Sequence, residues 1–199
     1  MSYANIIVPS QGLVTERRAF LSGLGKATLS ASAVALIVGC ESIAQGKSDM
    51  AADVAILNVA LGLEHEGITA YQLGAESGLL QKPILDVAVM FKGHHEGHRE
   101  VLMSAIRQMG GTPVAPKTKA EYAKDLKADT LKNQTDVLRL AQRLELGAVN
   151  AYLGVMPSFG ERALAQVAGR LVADETMHWT VLTSTLGQPL PGKSLTFGA

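Results

Sequence analysis

The chain has 199 residues, 18 Lys and Arg against 18 Asp and Glu, 47% hydrophobic and 5% aromatic content. That apolar share is enough for one domain core and excludes a disordered chain. The even charge balance excludes the basic stripe of a nucleic-acid binder, so no nucleic-acid partner is expected. A single cysteine excludes a disulfide framework and any multi-cysteine zinc or iron–sulfur centre. The five histidines are His65, His94, His95, His98 and His178, and their clustering is the first sign of chemistry.

Residues 1–14 carry no charged side chain, and Thr15-Glu16-Arg17-Arg18-Ala19-Phe20-Leu21 then brings two adjacent arginines before an aromatic and a leucine. This resembles a twin-arginine export signal. Residues 27–39 are small and apolar but too few for a spanning helix, which needs about 20. They read as the hydrophobic part of a signal. Ile37-Val38-Gly39-Cys40 resembles a lipoprotein box, in which Cys40 becomes the acylated first residue; ordinary cleavage after Ala44, in Ser42-Ile43-Ala44, is the alternative. Residues 1–40 are accordingly expected to be a targeting segment and the protein to reside in the periplasm or cell envelope. The signal or the lipid at Cys40 is then the only expected membrane contact. Loss of this segment removes three basic residues and one acidic residue, leaving a slightly acidic domain.

From about residue 48 apolar positions recur at spacings of three and four, the period of amphipathic helices, and alternating β-branched runs are missing. The first helix is expected from about Asp49 to Gly74, with the stripe Val54, Leu57, Leu61, Glu64, Ile68, Tyr71 and Ala75. The second runs from about Pro83, a residue suited to a first turn, to Met109; its stripe contains Phe91, His95, His98 and Leu102. Gly110-Gly111-Thr112-Pro113-Val114-Ala115-Pro116 interrupts the pattern. A short helical piece from Ala120 and a long helix ending near Met156 follow, the latter with Leu138, Ala141, Glu145, Val149 and Tyr152 on one face. The fourth, from about Ser158 to Leu186, carries Leu164, Ala168, Leu171, Glu175, His178 and Leu182 and stops at Gly187-Gln188-Pro189. The domain is placed at residues 48–190, with a short tail over 191–199.

The two halves repeat. Glu64 and Tyr71 recur as Glu145 and Tyr152, 81 residues later, and His98 and Leu102 recur as His178 and Leu182 at an offset of 80. Two helical hairpins related by a pseudo-twofold axis follow from that match. Residues 110–130 are long enough for a crossover along an antiparallel four-helix bundle.

Each long helix has a polar insert at mid-length, on the face that its apolar neighbours mark as core. Buried carboxylates cost several kcal/mol each unless paired, and a pair of divalent ions explains three of them facing imidazoles. Glu175 and His178 form Glu-x-x-His, which places an oxygen and a nitrogen donor one turn apart. Other roles stay open. Glu64 and Glu145 are alternatively salt-bridge partners of Arg99 or Arg143. His95 is either a metal donor or a hydrogen-bond partner of Glu64. His65 and His94 lie off the seam, in supporting or surface positions. Tyr71 and Tyr152 are core aromatics, hydrogen-bond donors to the site or a radical relay. Met90, Met103, Met109, Met156 and Met177 read as packing residues, with Trp179 a packing anchor.

On these residues the chain resembles the ferritin-like superfamily of all-α carboxylate proteins, over about residues 50–190. The resemblance implies an antiparallel four-helix bundle and a metal site with one Glu from each of two helices and Glu-x-x-His from each of the others. Five of six donors match: Glu64, His98, Glu145, Glu175 and His178. The sixth, normally Glu, is His95, which lowers the negative charge of the site and shifts its preference toward a softer metal or a single ion. Two divalent ions are the implied cofactors, iron first, with manganese or zinc as alternatives. About a dozen residues follow the last helix, so a storage cage with a fifth helix is not expected. The resemblance implies an oxidoreductase of peroxide, oxygen or ferrous ion in stress defence, served by an external electron donor, with a homodimer as its assembly. The competing reading is a non-catalytic, desiccation-type bundle with a degenerate site.

Overall fold

The computed structural model describes residues 45–198, with side chains from residue 50 onward. The twin-arginine, lipoprotein-box and Ala44 readings lie outside the described residues. Within them the chain forms five α-helices and no strand: α1 (Gln45–Glu76), α2 (Lys82–Gln108), α3 (Lys119–Asp125), α4 (Gln134–Val155) and α5 (Arg162–Thr185). α1 packs along α2 and α4 along α5, giving two hairpins that meet mainly through α1 and α4. The four expected long helices are all present, and none of them is long and apolar enough to cross a membrane.

Local chemistry sets most of the boundaries. α2 carries Pro83 in its first turn, where a missing N–H is harmless. The side chain of Asn133 accepts from Asp136 N at 3.0 Å and caps α4, a contact worth about 1 kcal/mol. α2 and α5 end alike: Gly110 and Gly187 adopt positive φ, and the next residues bond back to Ile106 O and Thr183 O. Only glycine takes that conformation without cost.

One boundary departs from its periodicity. α5 begins at Arg162, not near Ser158, because residues 156–158 form a 3-10 turn and the Gly160 and Glu161 amides turn away. Both amides donate at 3.0 Å to the carboxylate of Asp53, buried on α1. A long-range bond thus ends the helical path that local pattern favours.

The crossover from α2 to α4 runs from the level of Val54 to that of Gly74, about 30 Å along α1 at 1.5 Å per residue. Asn58 clamps its start, donating to Thr112 O at 3.1 Å and accepting from Val114 N at 2.7 Å. α3, opened by a Thr118–Glu121 capping box, packs Tyr122 with Leu126, Ala70 and Leu140. The C-terminal tail returns to the bundle, Phe197 meeting Trp179 edge-on at 5.1 Å.

Two apolar clusters fill the bundle. One holds Leu57, Leu61, Leu102, Ile106 and Leu171; the other holds Tyr71, Phe91, Leu138 and Leu182. Each fully buried Leu or Phe contributes about 1.5–3 kcal/mol, which makes the polar layer between the clusters affordable. Of the methionines expected to pack, Met90 and Met177 are instead exposed.

Candidate metal centre

The polar inserts of all four long helices meet in that layer. Glu64 comes from α1, His95 and His98 from α2, Glu145 from α4, and Glu175 and His178 from α5; none is more than 6% exposed. The structure brings all six sequence-selected residues into one cluster. Arg99, offered as a partner for the glutamates, pairs with Glu100 at 2.7 Å.

The cluster divides into two overlapping groups whose donor atoms lie within 4.8 Å of one another: Glu64, His95, His98 and Glu175, and His95, Glu145, Glu175 and His178. His98 Nδ1 lies 3.0 Å from Glu175 Oε1 and 3.5 Å from Glu64 Oε2. On the other side His178 Nδ1 is 3.5 Å from both Glu145 Oε2 and Glu175 Oε2. His95 lies between, Nδ1 at 2.8 Å from Glu64 Oε2 and Nε2 at 3.3 Å from Glu145 Oε1. Its ring fits closely over α1, because a Cβ on Gly67 would stand 3.2 Å from it.

Five buried atoms in this layer have no hydrogen-bond partner: His98 Nδ1, Glu145 Oε2, both carboxylate oxygens of Glu175, and His178 Nδ1. Buried polar atoms are nearly always satisfied, and these point into the space between the helices. Three carboxylates with imidazoles offering Nδ1 make a donor set suited to divalent cations. The residues present therefore fit a divalent ion at either group, with His95 and Glu175 common to both. His95 cannot replace a bridging carboxylate in full. A neutral imidazole has one free lone pair, so it donates to one ion, whereas two carboxylate oxygens can serve two.

The surroundings hold these donors in place. The Tyr71 hydroxyl donates to Glu145 and the Tyr152 hydroxyl to Glu64, each crossing between hairpins. Two of the three readings of these tyrosines hold together: both are buried core aromatics, and both donate their hydroxyls to the site. Phe91 stacks on His178 with ring centroids 4.1 Å apart. Outside the donors, His98 Nε2 lies 3.2 Å from Asp174 Oδ2 and His178 Nε2 lies 2.9 Å from His94 Nδ1. His94 thus supports the layer. His65 is buried in another role, bonding the crossover at Val114 O over 3.2 Å.

Burial and charge act against each other here. Burial alone would raise the Glu64 carboxyl, but the hydrogen bond from His95 and the nearby His98 imidazole outweigh it and bring Glu64 down to about 2. For Glu175, burial and the neighbouring Glu145 prevail, raising it to about 7. His98 resists burial through Glu175 and Glu64 and is pushed up to about 10. Burial also lowers His94.

Sequence reasoning missed Asp174 and Asp53. The first was accessible from the repeat, since it stands 80 residues after His94. The second sits four residues before Leu57 on the buried stripe of α1, and that periodicity was its only signal.

The model of the ferritin-like domain family matches residues 52–188. No curated protein matches the chain. Among solved structures, a conserved hypothetical protein, rv2844, from Mycobacterium tuberculosis is similar at 19% identity and a TM-score of 0.60, across 73% of this chain and 98% of that one. That likeness concerns the fold.

Proposed function

This chain belongs to the ferritin-like domain family, and on that footing we propose that it holds two divalent transition-metal ions between its hairpins and acts with them on dioxygen, peroxide or ferrous ion in defence of the cell envelope. The observation that carries this reading is the set of five unsatisfied buried atoms, all on Glu145, Glu175, His98 and His178. Iron or manganese bound there supplies the electrons for reducing an oxidant. Glu64 and His98 hold one position and Glu145 and His178 the other, with Glu175 facing both. Tyr71 and Tyr152 fix the outer carboxylates, and Phe91 covers His178 against water.

An oxidant of low polarity has a place to wait. Tyr71 and Phe91 also line a cavity of about 40 Å³ walled by apolar side chains such as Ile84, Leu138 and Leu182. Walls of this kind suit a small apolar molecule such as dioxygen. A separate donor would return the oxidised ions to the reduced state, since the 199 residues hold one cysteine and no Cys-x-x-Cys pair to relay electrons. Export rests on Arg17-Arg18 and the segment ending at Cys40, and fractionation of cells before and after Arg17→Lys/Arg18→Lys substitution tests it.

Metal analysis of untagged protein, purified after supplementation with iron or manganese, tests the central claim. About two ions per chain are expected. Background levels of every transition metal would overturn it.

One observation favours the second reading, a bundle with a degenerate site. His95 places both ring nitrogens against carboxylates, closing the layer with a side chain where the family has a bridging Glu. His95→Glu separates the two readings: a gain of ferrous-ion oxidation from a silent wild type supports the degenerate site, and comparable oxidation by both proteins supports the first.

A further inference from the structure

The pseudo-twofold that relates the hairpins is broken at two successive residues of one helix. α2 presents His94, His95 and His98 where α5, 80 residues later, presents Asp174, Glu175 and His178. Both inward-facing histidines of the pair turn Nδ1 to the carboxylates and Nε2 outward. Each Nε2 then meets a residue of the opposite helix, four positions before that helix's own histidine. For His98 the partner is the carboxylate of Asp174 at 3.2 Å, and for His178 it is the imidazole of His94 at 2.9 Å.

These partners are chemically unequal. A carboxylate only accepts, so Asp174 keeps the proton of His98 on Nε2 and leaves the Nδ1 lone pair free for a metal. It also adds negative charge behind the ring and increases its basicity as a ligand. His94 accepts at Nδ1 only in the tautomer that carries its proton on Nε2, and as a neutral ring it brings no charge. His95 adds to the inequality, having one lone pair for two positions where Glu175 offers two oxygens.

Resting on the metal-binding reading above, the geometry points to two unequal metal positions: a tight one at Glu64 and His98, backed by Asp174, and an exchangeable one at Glu145 and His178, backed by His94. His94 is in this view a positioning residue that sets how readily the second ion comes and goes. Partners of this kind are worth roughly 10–100-fold in metal affinity. Asp174 is half exposed, which screens its charge and places the expected gap near the lower figure, about tenfold.

Calorimetric titration of the metal-free full chain with Zn(II), at fixed pH and with a competing chelator, reads this directly and needs no turnover. Two steps are expected, about tenfold apart. His94→Asp should tighten the second step and merge the two, and Asp174→Asn, nearly isosteric and at a half-exposed site, should weaken the first. His178→Ala should delete the weaker step and keep the tighter. Two equal steps in the wild type, a gap unchanged by His94→Asp, or loss of the tighter step in His178→Ala would overturn the inference while leaving metal binding intact. A titration with no step at all removes the metal-binding reading and this inference together.

Discussion

Tyr71 of the first hairpin donates its hydroxyl to Glu145 of the second, and Tyr152 of the second returns the bond to Glu64 of the first. The exchange follows from two facts: each tyrosine lies seven residues beyond its own helix's glutamate, and α1 and α4 run antiparallel. Each hairpin thereby completes the other's carboxylate. Tyr71→Phe or Tyr152→Phe leaves a buried carboxylate short of a donor, at a cost of about 1–3 kcal/mol. Urea unfolding of the metal-free variants checks the loss, and an unchanged midpoint would mean the hydroxyls contribute nothing to the fold.

Glu175 belongs to both donor groups and is held at about 7 by burial and Glu145. Above that pH it is ionised in a layer that opposes its charge. Glu175→Gln should therefore raise the melting temperature of the metal-free protein at pH 8, have little effect at pH 5, and abolish metal uptake at both positions. Calorimetric melting at the two pH values, paired with a metal titration, measures these effects, and destabilisation at pH 8 contradicts the assignment.

The metal-free protein should have a stability optimum on the acid side of neutrality. Glu64, depressed from 4.5 to about 2, contributes stability that is present above 4.5 and lost as pH falls through 2. Glu175 and His98 are raised, so their contributions are full below their ordinary values of 4.5 and 6.5 and disappear as pH rises through about 7 and about 10. Chemical unfolding from pH 3 to pH 10 should show a maximum near pH 5 and a decline on both sides. Bound metal replaces the protons on these donors, so loading should flatten the alkaline decline.

Gly62 and Gly67 lie on the same helix and should respond to alanine in opposite ways. A Cβ at Gly62 meets nothing within 4 Å, so Gly62→Ala gains helix propensity, about 0.5–1 kcal/mol. At Gly67 the Cβ would crowd the His95 ring and push Nδ1 away from Glu64. Gly67→Ala should cost about 1–3 kcal/mol and weaken metal uptake. Thermal melts of the two variants provide the comparison.

Much of this organisation could be read from the sequence because it is written in spacing. Glu64, Glu145, Glu175 and His178 fall on apolar stripes of helical period, and the offsets of 81 and 80 pair Glu64 with Glu145 and His98 with His178 across the hairpins. What escaped depends on contacts between distant segments. Asp53 ends the α4–α5 turn from another helix, so nothing near residue 160 announces it. His65 lies off the seam that the helical period marks, and its partner is the crossover, which no spacing along α1 announces. The roles of His94 and Asp174 depend on which way two imidazoles face, and spacing does not encode that.

The Asn58 clamp has a consequence beyond the turn it closes. With one amide group it engages a carbonyl and an N–H of residues 112–114, as a neighbouring strand would, and His65 catches Val114 two helical turns further along. The linker is thus committed to one side of α1 before α4 begins. Three side-chain bonds to the backbone fix where the crossover leaves α2 and which residues of α1 it follows.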